Sequence, residues 1–169
     1  MKKYNTLITL FIIIFTFFLN LHAISQNHVV TIGGEVEKPL KLDAAIIQKM
    51  KHANVKAISH SDHKEHVYSG IPLYEIIKEA GAIPGNQLKG KYLAKYVLIK
   101  ASDGYQAVIA LPEIDTAFTD KVIILADKED DKALPPNDGP FKIIVPGDKR
   151  PARCVRQVVA INILSAKQD

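Results

Sequence analysis

The sequence predicts an α+β fold with mixed, mainly antiparallel sheets and short helices. Three observations carry this. β-rich runs outnumber helical ones, neighbouring runs are joined by tight polar turns instead of helical crossovers, and the stretches with helical periodicity are short.

Taken in order, residues 29–36 read as a strand passing through Gly33-Gly34, where a bulge or a close backbone approach is expected. Asp43 is placed to cap a helix over 44–51, with Leu42, Ile46, Ile47 and Met50 on its apolar face. Residues 55–59 and 66–68 form a hairpin around Ser61-Asp62-His63-Lys64, with Val55, Ala57 and Ser59 on one face. A helix opens at Pro72, places Leu73, Ile76, Ile77 and Ala80 on one side and stops at Gly81. The runs 96–101 and 105–111 make a second hairpin through Ser102-Asp103-Gly104, where an Asp-Gly pair tolerates positive φ. Pro112 opens a short helix to Phe118, and 121–126 is an apolar strand. The polar stretch 127–139, with Pro135-Pro136, reads as a surface loop. Strands at 141–145 and 158–164 flank the turn Pro146-Gly147-Asp148.

The N-terminus reads as a secretory leader. Lys2 and Lys3 precede an almost unbroken apolar run from Leu7 to Leu21, which stops short of the about 20 residues a membrane-spanning helix needs. Ala23 and Ser25 supply the small residues of a cleavage site, giving residues 1–25 as signal peptide, with cleavage before Gln26, or after Ala23. Left uncleaved, the same segment would be a membrane anchor. Residues 26–169 then form one exported domain, periplasmic or secreted, of ordinary size for a single core and without a stable membrane span. Cleavage removes two of the charges behind a formal net charge of +4, and no basic run remains to argue for nucleic acid. Cys154 is the only cysteine, so no internal disulfide forms. Oligomeric state is not legible.

Two clusters could carry chemistry. His60, His63 and His66 lie with Asp62 and Glu65 about the first hairpin tip, where imidazoles can bind zinc or copper. Strand alternation sends residues three apart to opposite faces, so a solvated polar turn is the competing reading. The second cluster is Lys149, Arg150, Arg153 and Arg156 around Cys154. Forked guanidinium groups recognise phosphate or carboxylate, and a neighbouring thiol would be activated by them or would pack inward as a small hydrophobe. Close cations repel one another unless an anion or acidic side chains offset them, so at least two of Arg150, Arg153 and Arg156 are expected to converge on one concave site, with Asp148 or a bound phosphate or sulfate as the counter-charge. No GxxxxGK[ST] phosphate loop is present, and no Ser-His-acid set stands out.

The ordered set Tyr68-Ser69-Gly70-Ile71-Pro72-Leu73, Ala80-Gly81, Ala101-Ser102-Asp103-Gly104-Tyr105, Leu111-Pro112-Glu113, Ile124-Leu125-Ala126-Asp127, Gly139-Pro140-Phe141, Val145-Pro146-Gly147 and Arg153-Cys154-Val155-Arg156 resembles the molybdopterin-binding domain of the sulfite oxidase family, over roughly residues 66–164. The resemblance implies that family's mixed α+β fold, a pterin-held molybdenum and an oxidoreductase activity. It implies that the segment 146–156 lies where the pterin is held, making Lys149, Arg150, Arg153 and Arg156 cofactor-binding candidates and a pterin phosphate another candidate counter-charge. Family members supply a molybdenum-ligating cysteine from a Cys-x-Gly-Asn-like segment upstream of the helix that begins here at Pro72. Residues 57–66 contain no cysteine. Two readings therefore stand beside each other: a molybdopterin-dependent oxidoreductase, and a cofactor-free periplasmic module that binds a small anion or a partner protein. A weak histidine-based metal binder is the third.

Overall fold

The computed structural model describes residues 28–59, 61–83 and 88–167. The leader 1–25 and His60 lie outside these residues.

Among the described residues ten strands form two sheets. β1 (Val30–Gly34), β2 (Leu40–Leu42), β5 (Lys95–Ala101), β6 (Gln106–Ala110) and β10 (Val158–Ser165) make the first, in the order β2-β1-β10-β5-β6. Only the β1–β10 pair in it is parallel. β3 (Ala53–Ile58), β4 (Glu65–Pro72), β7 (Ile124–Glu129), β8 (Lys132–Ala133) and β9 (Lys142–Ile144) make the second, wholly antiparallel, with β8 and β9 pairing different ends of β7. Among the described residues the α-helices are α1 (Ala44–Ile47) and α2 (Leu73–Glu79). This is the mixed, mainly antiparallel α+β fold that the sequence predicts.

The main core gathers Leu73, Ile76 and Ile77 of α2 in one cluster with Val97, Ile99 and Ile161 of the first sheet. β9 and the first half of β7 are buried on both faces. Leu125 and Ile143 point into the main core, while Ile124, Ala126 and Ile144 pack with Tyr68 and Leu134 in a second cluster on the other side. Val55, Ala57 and Ser59 do share one face, and it points inward: Val55 and Ala57 pack with Ala53 on this second cluster, and Ser59 is buried.

Glycine is required where strands come closest. Gly34, at φ +83, would place a Cβ 2.2 Å from the Ile163 carbonyl oxygen of β10, and a Cβ at Gly70 would sit 2.2 Å from the Leu125 carbonyl oxygen of β7. The first is the close approach foreseen at Gly33-Gly34. The second accompanies the register shift between Ser69 and Gly70.

Four elements differ from expectation. Asp43 does cap α1, its Oδ1 accepting the Ile46 N–H at 2.8 Å, but the helix ends at Ile47. Lys49 and Met50 donate to Ile46 and Ile47, three residues back, and this tighter winding closes the helix early. The strand β2 was not foreseen, although Leu40 and Leu42 point inward and Lys41 outward in strand alternation. After β6 there is only a 3-10 turn at Leu111–Glu113, followed by turns over Asp115, whose carboxylate and carbonyl accept the Ala117 and Phe118 amides and so compete with a helix. The expected loop from Asp127 contains the end of β7 and all of β8, turned by Asp130 and Asp131 at φ 48 and 62. Two consecutive positive φ values are those of a tight hairpin turn, taken here by aspartates in place of the usual glycine.

Candidate functional site

The segment after β9 brings Arg153 against two carboxylates. A 3-10 turn at Pro151–Arg153 follows the Gly147 turn and directs the guanidinium back over Asp148. Arg153 Nε and Nη2 donate to Asp148 Oδ2 and Oδ1 at 2.8 and 2.9 Å, a forked pair, and Nη1 donates to Glu113 Oε2 and Oε1 at 2.9 and 3.2 Å. Glu113 is itself positioned by the turn leaving β6 and accepts the Ala110 N–H. The Arg153 fork holds the Asp148 carboxyl below its ordinary value, with Lys121 Nζ adding to it at 3.6 Å.

The other predicted cations lie elsewhere. Lys149 and Arg150 are exposed. Arg156 reaches Asp138, Nη1 to Oδ1 3.7 Å, on the side of the buried Lys142. The expected convergence of two arginines on one anion is therefore corrected: Arg153 and Arg156 each face different carboxylates, because the 3-10 turn ends at Arg153 and the chain leaves it through Cys154 at φ -78, ψ 75 before reaching Arg156. Asp148 is the counter-charge that was expected.

Cys154 packs against the main core, and its sulfur accepts the Val145 N–H at 3.4 Å. Burial pushes the thiol up, keeping it protonated despite the nearby cations. It faces Ala57, Ile58 and Glu65 across a cleft of about 180 Å³.

At the first hairpin, His63 is exposed at φ 58, and His66 is clamped. His66 Nδ1 donates to Asp130 Oδ2 at 2.6 Å and lies 3.4 Å from Glu129 Oε1, and Nε2 donates to Asp62 at 3.1 Å. Carboxylates only accept, so both ring nitrogens carry protons here. Asp130 also accepts the Val67 N–H at 3.0 Å, tying the β7–β8 turn to β4. Among the described residues no group of three His, Cys, Asp or Glu side chains is disposed to hold a metal ion.

The clamp predicts a pH dependence. Hydrogen bonds to Asp130 and then Asp62 raise His66 above its ordinary value, and its bonds lower both acids. A raised histidine stabilises the fold fully below its unfolded pKa of about 6.5 and loses that contribution as pH rises through the folded value. Urea midpoints of wild type and His66→Gln should therefore differ most near pH 6 and approach each other in alkali. Lys64 and Lys132 are the neighbouring cations in this region. A difference unchanged from pH 6 to pH 9 would show that the clamp carries no stability.

Sequence reasoning missed Glu113 and Asp130 as partners, and the buried pair Lys142–Asp138. The pairs through Glu113 and Asp130 join residues 40 and 64 apart, which no local spacing reveals.

Residues 19–169 match the family described as the oxidoreductase molybdopterin binding domain, and the chain belongs to that family. The match begins within the segment read as leader. No curated protein matches. Among solved structures the fold is similar to the sulfane dehydrogenase SoxCD from Paracoccus pantotrophus, with a TM-score of 0.65 and 18% identity over 85% of this chain. The chain spans only 39% of that protein's chain. The sulfite-oxidase-type molybdopterin-binding fold is thus the fold of this protein.

The residues around Arg153 do not fit a pterin phosphate. Arg153 has its donors on Asp148 and Glu113, Cys154 is a half-buried thiol, and the cleft of about 180 Å³ falls below the roughly 300–1,000 Å³ of small-molecule sites. Among the described residues no helix is long and apolar enough to cross a membrane.

Proposed function

We propose that the chain is an exported binding module that keeps the fold of the molybdopterin-binding oxidoreductases and works without molybdenum. The observation that carries this reading is the internal saturation of Arg153, the arginine of the Arg153-Cys154-Val155-Arg156 motif, by Asp148 and Glu113. An arginine whose fork is already filled offers little to a pterin phosphate. The segment 57–66, from which relatives supply a thiolate, adds support: it has no cysteine, and Ser59 within it is buried with its hydroxyl on Ser61. Export rests on the Lys2-Lys3 start, the apolar run and the small residues before Gln26.

One observation favours the oxidoreductase reading. Cys154 faces the same cleft as Ala57 and Ile58, so a thiol does stand opposite the segment that lacks one. Calorimetric titration with inorganic phosphate separates the two. A closed anchor predicts that wild type and Arg153→Ala titrate alike. A saturable phosphate site in wild type that the substitution abolishes would mean an open anchor, and would overturn the proposal.

A further inference from the structure

We infer that the groove beside α2 is a binding site for a small amphipathic carboxylate. This deepens the reading of the chain as a binding module, and its test is independent of molybdenum content. The groove runs between α2, residues 50–53 and residues 114–123, and holds about 760 Å³, within the roughly 300–1,000 Å³ of small-molecule sites. Ile71, Ile114 and Ile123 are buried beneath it, and Met50 and Val122 complete an apolar floor. Val122 is 39% exposed there, an apolar side chain that a ligand would cover.

The charges choose the sign of the ligand. Lysines enter from all three walls: Lys51 ahead of β3, Lys78 on α2 and Lys121 on the third segment. The two acids, Glu75 and Glu79, come from α2 alone. Lys78 Nζ lies 5.7 Å over the Tyr74 ring, and Lys121 shares Asp148 with Arg153. Among the described residues neither Lys51 nor Lys78 has a carboxylate within ion-pair distance. An anionic head near Lys51 and Lys121, away from the acids of α2, leaves its apolar body on the isoleucine floor. Lysines present point charges that do not demand the planar, bidentate geometry of an arginine site, and the apolar floor beside them suits an anionic head carried on an apolar body.

The test uses the fluorescent aromatic anion 8-anilinonaphthalene-1-sulfonate as reporter and octanoate as competitor, on protein from its native source. Octanoate should displace the reporter, and octylammonium, of equal length and opposite charge, should need at least about tenfold more. Lys51→Gln with Lys121→Gln should raise the octanoate midpoint about tenfold, and Val122→Asp should do the same by placing a charge on the floor. Circular dichroism establishes that each variant folds, and if one does not, the octanoate and octylammonium comparison on wild type decides alone. Equal displacement by the two amphiphiles, no displacement by octanoate, or unchanged midpoints in folded variants would each overturn the assignment.

Discussion

Replacing Asp138 by Ala should cost about 3–5 kcal/mol, because it strands a buried ammonium. Lys142 sits on β9 with Phe141 and Ile143 to either side, and strand alternation turns it into the second cluster beside Ala126 and Tyr68. Its side chain is 3% exposed, and Nζ has two neighbours, Asp138 Oδ2 at 2.5 Å and the face of the Tyr68 ring at 5.3 Å. A ring face returns far less than a carboxylate to a desolvated charge. Burial also keeps the Tyr68 hydroxyl protonated well above its ordinary range, so it stays a donor to Glu129 Oε1 at 3.2 Å and offers no second anion. Lys142→Met in the Asp138→Ala background should recover much of the loss, since a buried pair replaced by apolar groups is often near neutral. Urea unfolding of the single and double variants measures this. A loss under about 0.5 kcal/mol for Asp138→Ala, the range of an ordinary surface change, would contradict the buried pair.

Arg153→Ala should cost about 2 kcal/mol near neutral pH. The Asp148 fork supplies most of it, at roughly 1.5–3 kcal/mol for hydrogen bonds between charged groups. The Glu113 contact adds less, because that carboxylate is 38% exposed and solvent screens it. The pH dependence follows from Asp148. Its folded pKa is depressed, so its contribution is present above the unfolded value of about 3.9 and is lost as pH falls through the folded one. The gap between wild type and variant should therefore narrow below about pH 4. A gap that stays constant into acid would show that Asp148 is not the partner that matters.

Much of the fold was legible because its signals are local. Asp103-Gly104 fixes one hairpin, the spacing of Leu73, Ile76, Ile77 and Ala80 fixes α2, and alternation at Val55, Ala57 and Ser59 orients β3. The errors came where polar side chains decide the backbone. Glu129-Asp130-Asp131-Lys132 looks like solvated loop, yet it turns a hairpin whose Asp130 carboxylate is occupied by Val67 and His66. The cation cluster was visible at 149–156, but its geometry depends on Glu113 and Asp138, which the chain brings in from outside that segment. Three arginines close in sequence suggested one anion site. The fold answers their repulsion with carboxylates of its own.

The central claim is that this family member carries no molybdenum cofactor, and the stoichiometry of molybdenum and pterin in protein isolated from its native compartment tests it most directly. Elemental analysis and pterin fluorescence should find neither in stoichiometric amount, on a chain whose intact mass begins near Gln26. Molybdenum and pterin approaching one of each per chain would contradict the claim.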